Sequence, residues 1–124
     1  MNKKETVFEQ TKVMEQCFLG SLLSTNERIN TRLKAADFYH EHHGKIFETI
    51  YKLWDNETTP DIQTVSNELR GQVDASLITE LTSIVPSAAN IDYYENEVFE
   101  ARKIRLLGKS TETFNTKIND PSLT

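Results

Sequence analysis

Between positions 43 and 54, His43, Ile46, Phe47, Ile50, Leu53 and Trp54 recur at i, i+3, i+4, i+7, i+10 and i+11. On a helix of 3.6 residues per turn these side chains line one stripe, whereas a strand would scatter them over both faces. The same spacing of three and four recurs along the rest of the chain, and period-two alternation is absent, so the expected class is all-α. At 124 residues the chain can bury one modest core, removing roughly two thirds of the unfolded surface from water.

The pattern resolves into six helical segments. The first runs from Glu9 to Leu23, with Met14, Cys17, Phe18 and Leu22 inside and Gly20 where another backbone can approach. Asn26 is expected to cap a short second helix through Leu33, after which a turn over residues 34–37 carries Phe38 and Tyr39 inward. The third holds the stripe above. Pro60 and Asp61 open a fourth, with Ile62, Val65 and Leu69 inside and Gly71 closing it. Asp74 caps a fifth carrying Leu77, Ile78, Leu81 and Ile84, and Pro86 ends it, because the residue before proline is pushed out of the α region. The expected core is Phe18, Leu22, Phe38, Ile46, Phe47, Ile50, Trp54 and Leu81.

The last helix is the longest. Asn90 is a good N-cap; Asp92 and Glu95 lie where the helix dipole favours negative charge, and Arg102, Lys103, Arg105 and Lys109 lie where it favours positive charge. Ile91, Tyr94, Val98 and Ala101 make an inner stripe for its first half. Beyond Ile104 only Leu106, Leu107, Phe114 and Ile118 are apolar, too few to bury a face on the same body, so the second half is expected to project and to need a partner. The expected organisation is a flexible N-terminus over residues 1–8, a helical head over 9–89, an arm over 90–118 and a flexible tail over 119–124. Tyr93, Tyr94 and Phe99 sit on different faces of the arm, and exposed aromatics are enriched at protein interfaces. Together with Arg102, Arg105 and Leu106 they are the candidate partner-binding residues.

Several function classes are disfavoured. No run approaches the roughly 20 apolar residues that span a bilayer, so no membrane partner is expected. The net charge of −5 repels phosphate backbones, and strong direct nucleic-acid binding is not expected. Gly108-Lys109-Ser110 resembles the end of a phosphate-binding loop, but Lys103 stands where that motif requires glycine and no strand precedes it. His40, His42 and His43 share one short segment without a matching set of zinc ligands elsewhere; the reading is two surface histidines and a partly buried, hydrogen-bonded His43. No nucleophile with an orienting base emerges, and the carboxylates of Glu95, Glu97 and Glu100 read as a solvated helix face. The chain is expected to be neither an enzyme nor a cofactor carrier. Cys17, the single cysteine, cannot form an internal disulfide, which points to a reducing, cytoplasmic setting.

The order MEQCFLGSLL, LKAADFYHEHHGKIFETIYKLW, PDIQTVSNEL and ITELTSIVPSAANIDYYENEVFEARKIRLL resembles the N-terminal domain of the bacterial DnaB-type replicative DNA helicase over about residues 12–118. His43, Ile46 and Phe47 match the family's H..IF, and Asp61 with Val65 its D...V. Tyr94 falls where the family places a tyrosine after its NI dipeptide. The resemblance implies a non-catalytic collar domain that pairs subunits in the hexamer and recruits primase or a loader during DNA replication. The long helix would then be the first arm of a helical hairpin, and ATP and magnesium would belong to a motor domain outside this chain. Gly44 departs from the family's bulkier residue, and LRGQVDASLI is shorter than usual. The alternative is a stand-alone helical regulator that binds a helicase and modulates its assembly.

Overall fold

A computed structural model describes residues 3–84 and 87–118, with side chains over 9–84 and 87–107. It contains α1 (Lys3–Leu23), a 3₁₀ turn (Ala35–Asp37), α2 (Glu41–Asp55), α3 (Ile62–Glu68), α4 (Ala75–Ile84) and α5 (Ile91–Ile118), with no strand among the described residues. The all-α class holds. The tail over 119–124 and the stop at Pro86 lie outside the described residues.

Helix α2 is the central rod. His43, Ile46, Phe47, Ile50 and Leu53 are buried; Trp54, expected in the core, is only half-buried at its margin. Phe18, Leu19 and Leu22 of α1 meet this stripe together with Phe38, and Ile78 and Leu81 of α4 close the other side. All the other residues expected in the core are buried in it. Cys17 is buried too, and loss of hydration pushes its thiol above the usual range. Local signals set the short helices. Asp61 and Thr64 form a reciprocal capping box on α3, Gly71 takes φ +84° after it, and the Asp74 carboxylate accepts from Ser76 N–H at the start of α4.

Two expectations fail. Residues 26–33 are not a helix but an irregular strap. Thr25 Oγ1 accepts from Glu27 N–H at 3.3 Å and Thr31 Oγ1 from Leu33 N–H at 3.1 Å, local bonds that compete with a helical ladder. Tertiary contacts then hold the strap extended: Tyr51 donates its hydroxyl to Ile29 O at 2.6 Å, and Arg28 reaches Asp55 at 3.1 Å. In addition, α1 starts at Lys3 rather than at the expected Glu9.

Gly44 is required by a close approach. A Cβ at this position would lie 2.8 Å from the Ala35 carbonyl oxygen of the 3₁₀ turn, a backbone atom that cannot swing away. Alanine gains about 1 kcal/mol in helix propensity, but overpacking against backbone costs about 1–3 kcal/mol. The clash is expected to win, so Gly44→Ala should lower the urea midpoint. A raised midpoint would mean that the 3₁₀ turn yields freely.

Candidate partner interface

Helix α5 is 28 residues long, about 42 Å. It runs antiparallel to α1: Ser21 lies against Ser87 just before α5, while Gln10 and Thr11 flank the same groove as Ile104 and Arg105. Ile91 and Val98 are buried against the head, and Tyr94 and Ala101 half-buried.

The basic residues of α5 grip the head. Asp37 is buried, and its carboxylate accepts from Lys34 N–H at 2.7 Å and pairs with the Arg102 guanidinium. Arg105 donates to the Asp37 carbonyl oxygen at 2.7 Å and lies 5.2 Å from the Tyr39 ring centroid. Arg102 and Arg105, candidates for partner contact, are thus committed to the 3₁₀ turn of their own chain. Phe99 is covered by Arg32, whose Cζ is 3.9 Å from the ring centroid and whose guanidinium also reaches Glu95 at 3.3 Å and Asn96 at 3.1 Å. Asp37 and Arg32 were not singled out by sequence reasoning. A short acid just before an aromatic pair at a turn is the signal that marks Asp37; Arg32 lies in the strap, where spacing alone predicts a helix.

Beside the exposed polar residues Asp92, Asn96, Glu100 and Lys103, α5 also exposes apolar and aromatic side chains. Tyr93 is 62% exposed, Ile104 65% and Leu107 61%, and Leu106 is also exposed. At about 100° per residue, Tyr93, Ile104 and Leu107 fall within about 60° of one another on the helix, away from the buried Val98, while Leu106 lies on another side. Through residue 107, α5 therefore offers apolar surface on two sides, beside the Arg102 and Arg105 contacts that hold it to the head.

A buried polar knot supports the head beside this helix. Glu15 of α1 is 0% exposed, in the middle of the core stripe. Its carboxylate accepts from Tyr39 N–H at 2.6 Å and His40 N–H at 3.3 Å, and lies 2.8 Å from His43 Nδ1. The carboxylate is an acceptor, which puts the proton on Nδ1. Helix α2 has no side-chain cap from His40; Glu15 instead ties down the two residues that lead into it, through the Tyr39 and His40 N–H groups. Burial pushes His40 below the usual imidazole range; the Glu15 charge opposes that shift, and His43, Lys12 and Arg105 add to it. Among the described residues no group of three or more His, Cys, Asp or Glu is arranged to hold a metal ion.

The described residues thus form a helical head carrying one long helix with exposed apolar side chains. Residues 8–100 match the DnaB-like helicase N-terminal domain, and the chain belongs to that family. It is 33% identical over 119 residues to the replicative DNA helicase DnaB of Treponema pallidum, covering 85% of this chain and 27% of that protein. The solved N-terminal domain of DnaB helicase from Mycobacterium tuberculosis superposes with a TM-score of 0.74 at 30% identity, over 86% of this chain and 81% of that one. The N-terminal domain of DnaB helicase from Helicobacter pylori, described with its interactions with primase, gives a TM-score of 0.77 at 20% identity, over 96% and 99% of the two chains, a likeness of fold.

Proposed function

We propose that this chain serves as the assembly and recruitment module of a replicative helicase, pairing with a second copy through the outer half of α5 and offering the joined surface to primase or a helicase loader. The uncovered pair Ile104 and Leu107 carries the reading, because apolar side chains 65% and 61% exposed on one side of a helix are stabilised when a partner removes them from water. Family membership and the primase interactions described for the Helicobacter pylori domain support the choice of partners. In this reading the module works in the cytoplasm by binding alone, and ATP and magnesium chemistry belongs to the motor of the parent helicase. No helix among the described residues is long and apolar enough to cross a membrane.

The test is sedimentation equilibrium with and without the double change Ile104→Ser, Leu107→Ser. Self-association is expected to weaken at least about tenfold, equivalent to about 1.4 kcal/mol. The melting of a dilute sample should change little, since neither side chain is in the core. Calorimetry with the C-terminal domain of the cognate primase should show binding to the native chain. A native chain that stays monomeric at high concentration and gives no heat with primase would end this reading.

A further inference from the structure

We propose that His40 is the trigger of an acid-sensitive latch: on taking up a proton it unseats Arg105 from Tyr39 and loosens α5 on the head over residues 101–107. The latch lies within one chain and does not depend on pairing through α5. Tyr39 stands at its joint. Arg105 Cζ lies 5.2 Å from the Tyr39 ring centroid, and the His40 ring meets the same ring edge-on, with centroids 5.2 Å apart. One aromatic ring thus contacts both a permanent cation and a group that becomes a cation in mild acid.

The α5 side of the joint is short of carboxylates. Asp37 offers one to two guanidiniums: Arg102 pairs with it, and Arg105 donates to the Asp37 carbonyl oxygen at 2.7 Å. Arg105 Nη1 is shut off from water with no hydrogen-bond acceptor among the described residues. The charged and titratable groups facing His40 are Lys12 and Glu15 of α1, Tyr39 before α2, Glu41, His42 and His43 of α2, and Arg105 of α5, while α4 brings Leu77 and Leu81. Glu15 is engaged by the Tyr39 and His40 N–H groups and lies 2.8 Å from His43 Nδ1; Glu41 lies 3.6 Å from the Lys45 ammonium. Burial resists a proton on His40, Glu15 draws it, and His43, Lys12 and Arg105 resist it, leaving the imidazole below its ordinary range. The folded chain therefore binds this proton less readily than the unfolded chain. The stability at stake is fully present above the ordinary imidazole range and is lost as pH falls from there toward the folded value. Glu15 fixes the backbone of Tyr39 and His40, so the added repulsion is relieved by the Arg105 side chain and the helix that carries it.

The test is hydrogen exchange on the full chain at about pH 7.5 and about pH 5.5, on either side of the ordinary imidazole value, with rates corrected for the intrinsic effect of pH. Protection over residues 101–107 is expected to fall at least about threefold on acidification, the scale of one added like charge near a protein surface. Residues 46–53 of α2 should keep theirs. His40→Phe retains a ring without the titration and should abolish the fall, whereas His42→Gln, at an exposed neighbour, should preserve it. Tyr39→Leu removes the shared ring and should give low protection at both pH values, with helical content of every variant checked by circular dichroism. In the native chain, the NMR signals of the His40 ring and of Arg105 Nε–H should titrate with one midpoint. An equal loss of protection in α2, a fall that persists in His40→Phe or disappears in His42→Gln, or an Arg105 signal that ignores the His40 titration would each overturn the proposal.

Discussion

Glu15→Ala is expected to destabilise the folded protein by about 3–5 kcal/mol, the range for breaking a buried charged network by removing one partner. Alanine leaves the Tyr39 and His40 N–H groups and His43 Nδ1–H without their acceptor at a site fully shut off from water. Each orphaned buried donor costs about 1–3 kcal/mol, and the lost carboxylate also leaves a void between α1 and α2. Helix propensity works the other way but is worth only a few tenths of a kcal/mol. The sum is a large fraction of the total stability of a domain of this size.

Glu15→Gln separates hydrogen bonding from volume. The amide keeps one oxygen for Tyr39 N–H, and its NH₂ can donate to His43 if the imidazole moves its proton to Nε2. Only the longer His40 contact is then lost, so a milder cost of about 1–2 kcal/mol is expected. Urea denaturation of the three proteins decides it. Equal losses for Ala and Gln would show that the negative charge itself holds the start of α2; a loss below about 1 kcal/mol for Ala would remove Glu15 from the structural frame. Tyr39, whose N–H Glu15 holds, also lies beneath Arg105 of α5, so the same change should loosen α5 on the head.

How far the fold was legible follows from where its energy lies. Helices α2, α3 and α4 carry their own signals: a continuous apolar stripe, a capping box, a positive-φ glycine. These act within a few residues and survive reading in one dimension. The strap over 26–33 offered Asn26 as a cap and only Ile29 and Leu33 at helical spacing, and its conformation is decided by Tyr51, Arg28 and Arg32 reaching residues 22, 27 and 64 positions away in sequence. Sequence spacing says nothing about such partners. Glu15 was invisible for the same reason. A lone glutamate on an amphipathic helix reads as surface until its three donors are known, although its place three residues before Phe18 on the buried side was a clue. In the candidate interface, the exposed Tyr93 and Leu106 were found from spacing, whereas Arg102, Arg105 and Phe99 proved to be tied to Asp37 and Arg32. In sequence Gly44 is only a loss of helix propensity; the Ala35 carbonyl beside it turns that cost into a requirement.

Phe47→Ala is expected to cost about 3–5 kcal/mol, the range for truncating a buried aromatic ring. The ring is the junction of the core: its centroid lies 5.0 Å from Phe38 and 4.7 Å from Tyr51, both tilted against it, and 6.3 Å from Phe18 in a stacked pair. Removing it opens a cavity bounded by α1, α2 and the 3₁₀ turn, a region too braced to collapse inward. Because Tyr51 packs on Phe47 and also holds Ile29 O, the loss should spread along the strap to Arg32 and its seat on Phe99 of α5. Hydrogen exchange should therefore show residues 29–33 losing protection in Phe47→Ala before α1 does. Phe18→Ala and Phe47→Ala share one cavity and should be less costly together than their sum. A loss below about 1 kcal/mol for Phe47→Ala would mean that α2 does not form the centre of the head, and the path from the core through the strap to α5 would have no origin.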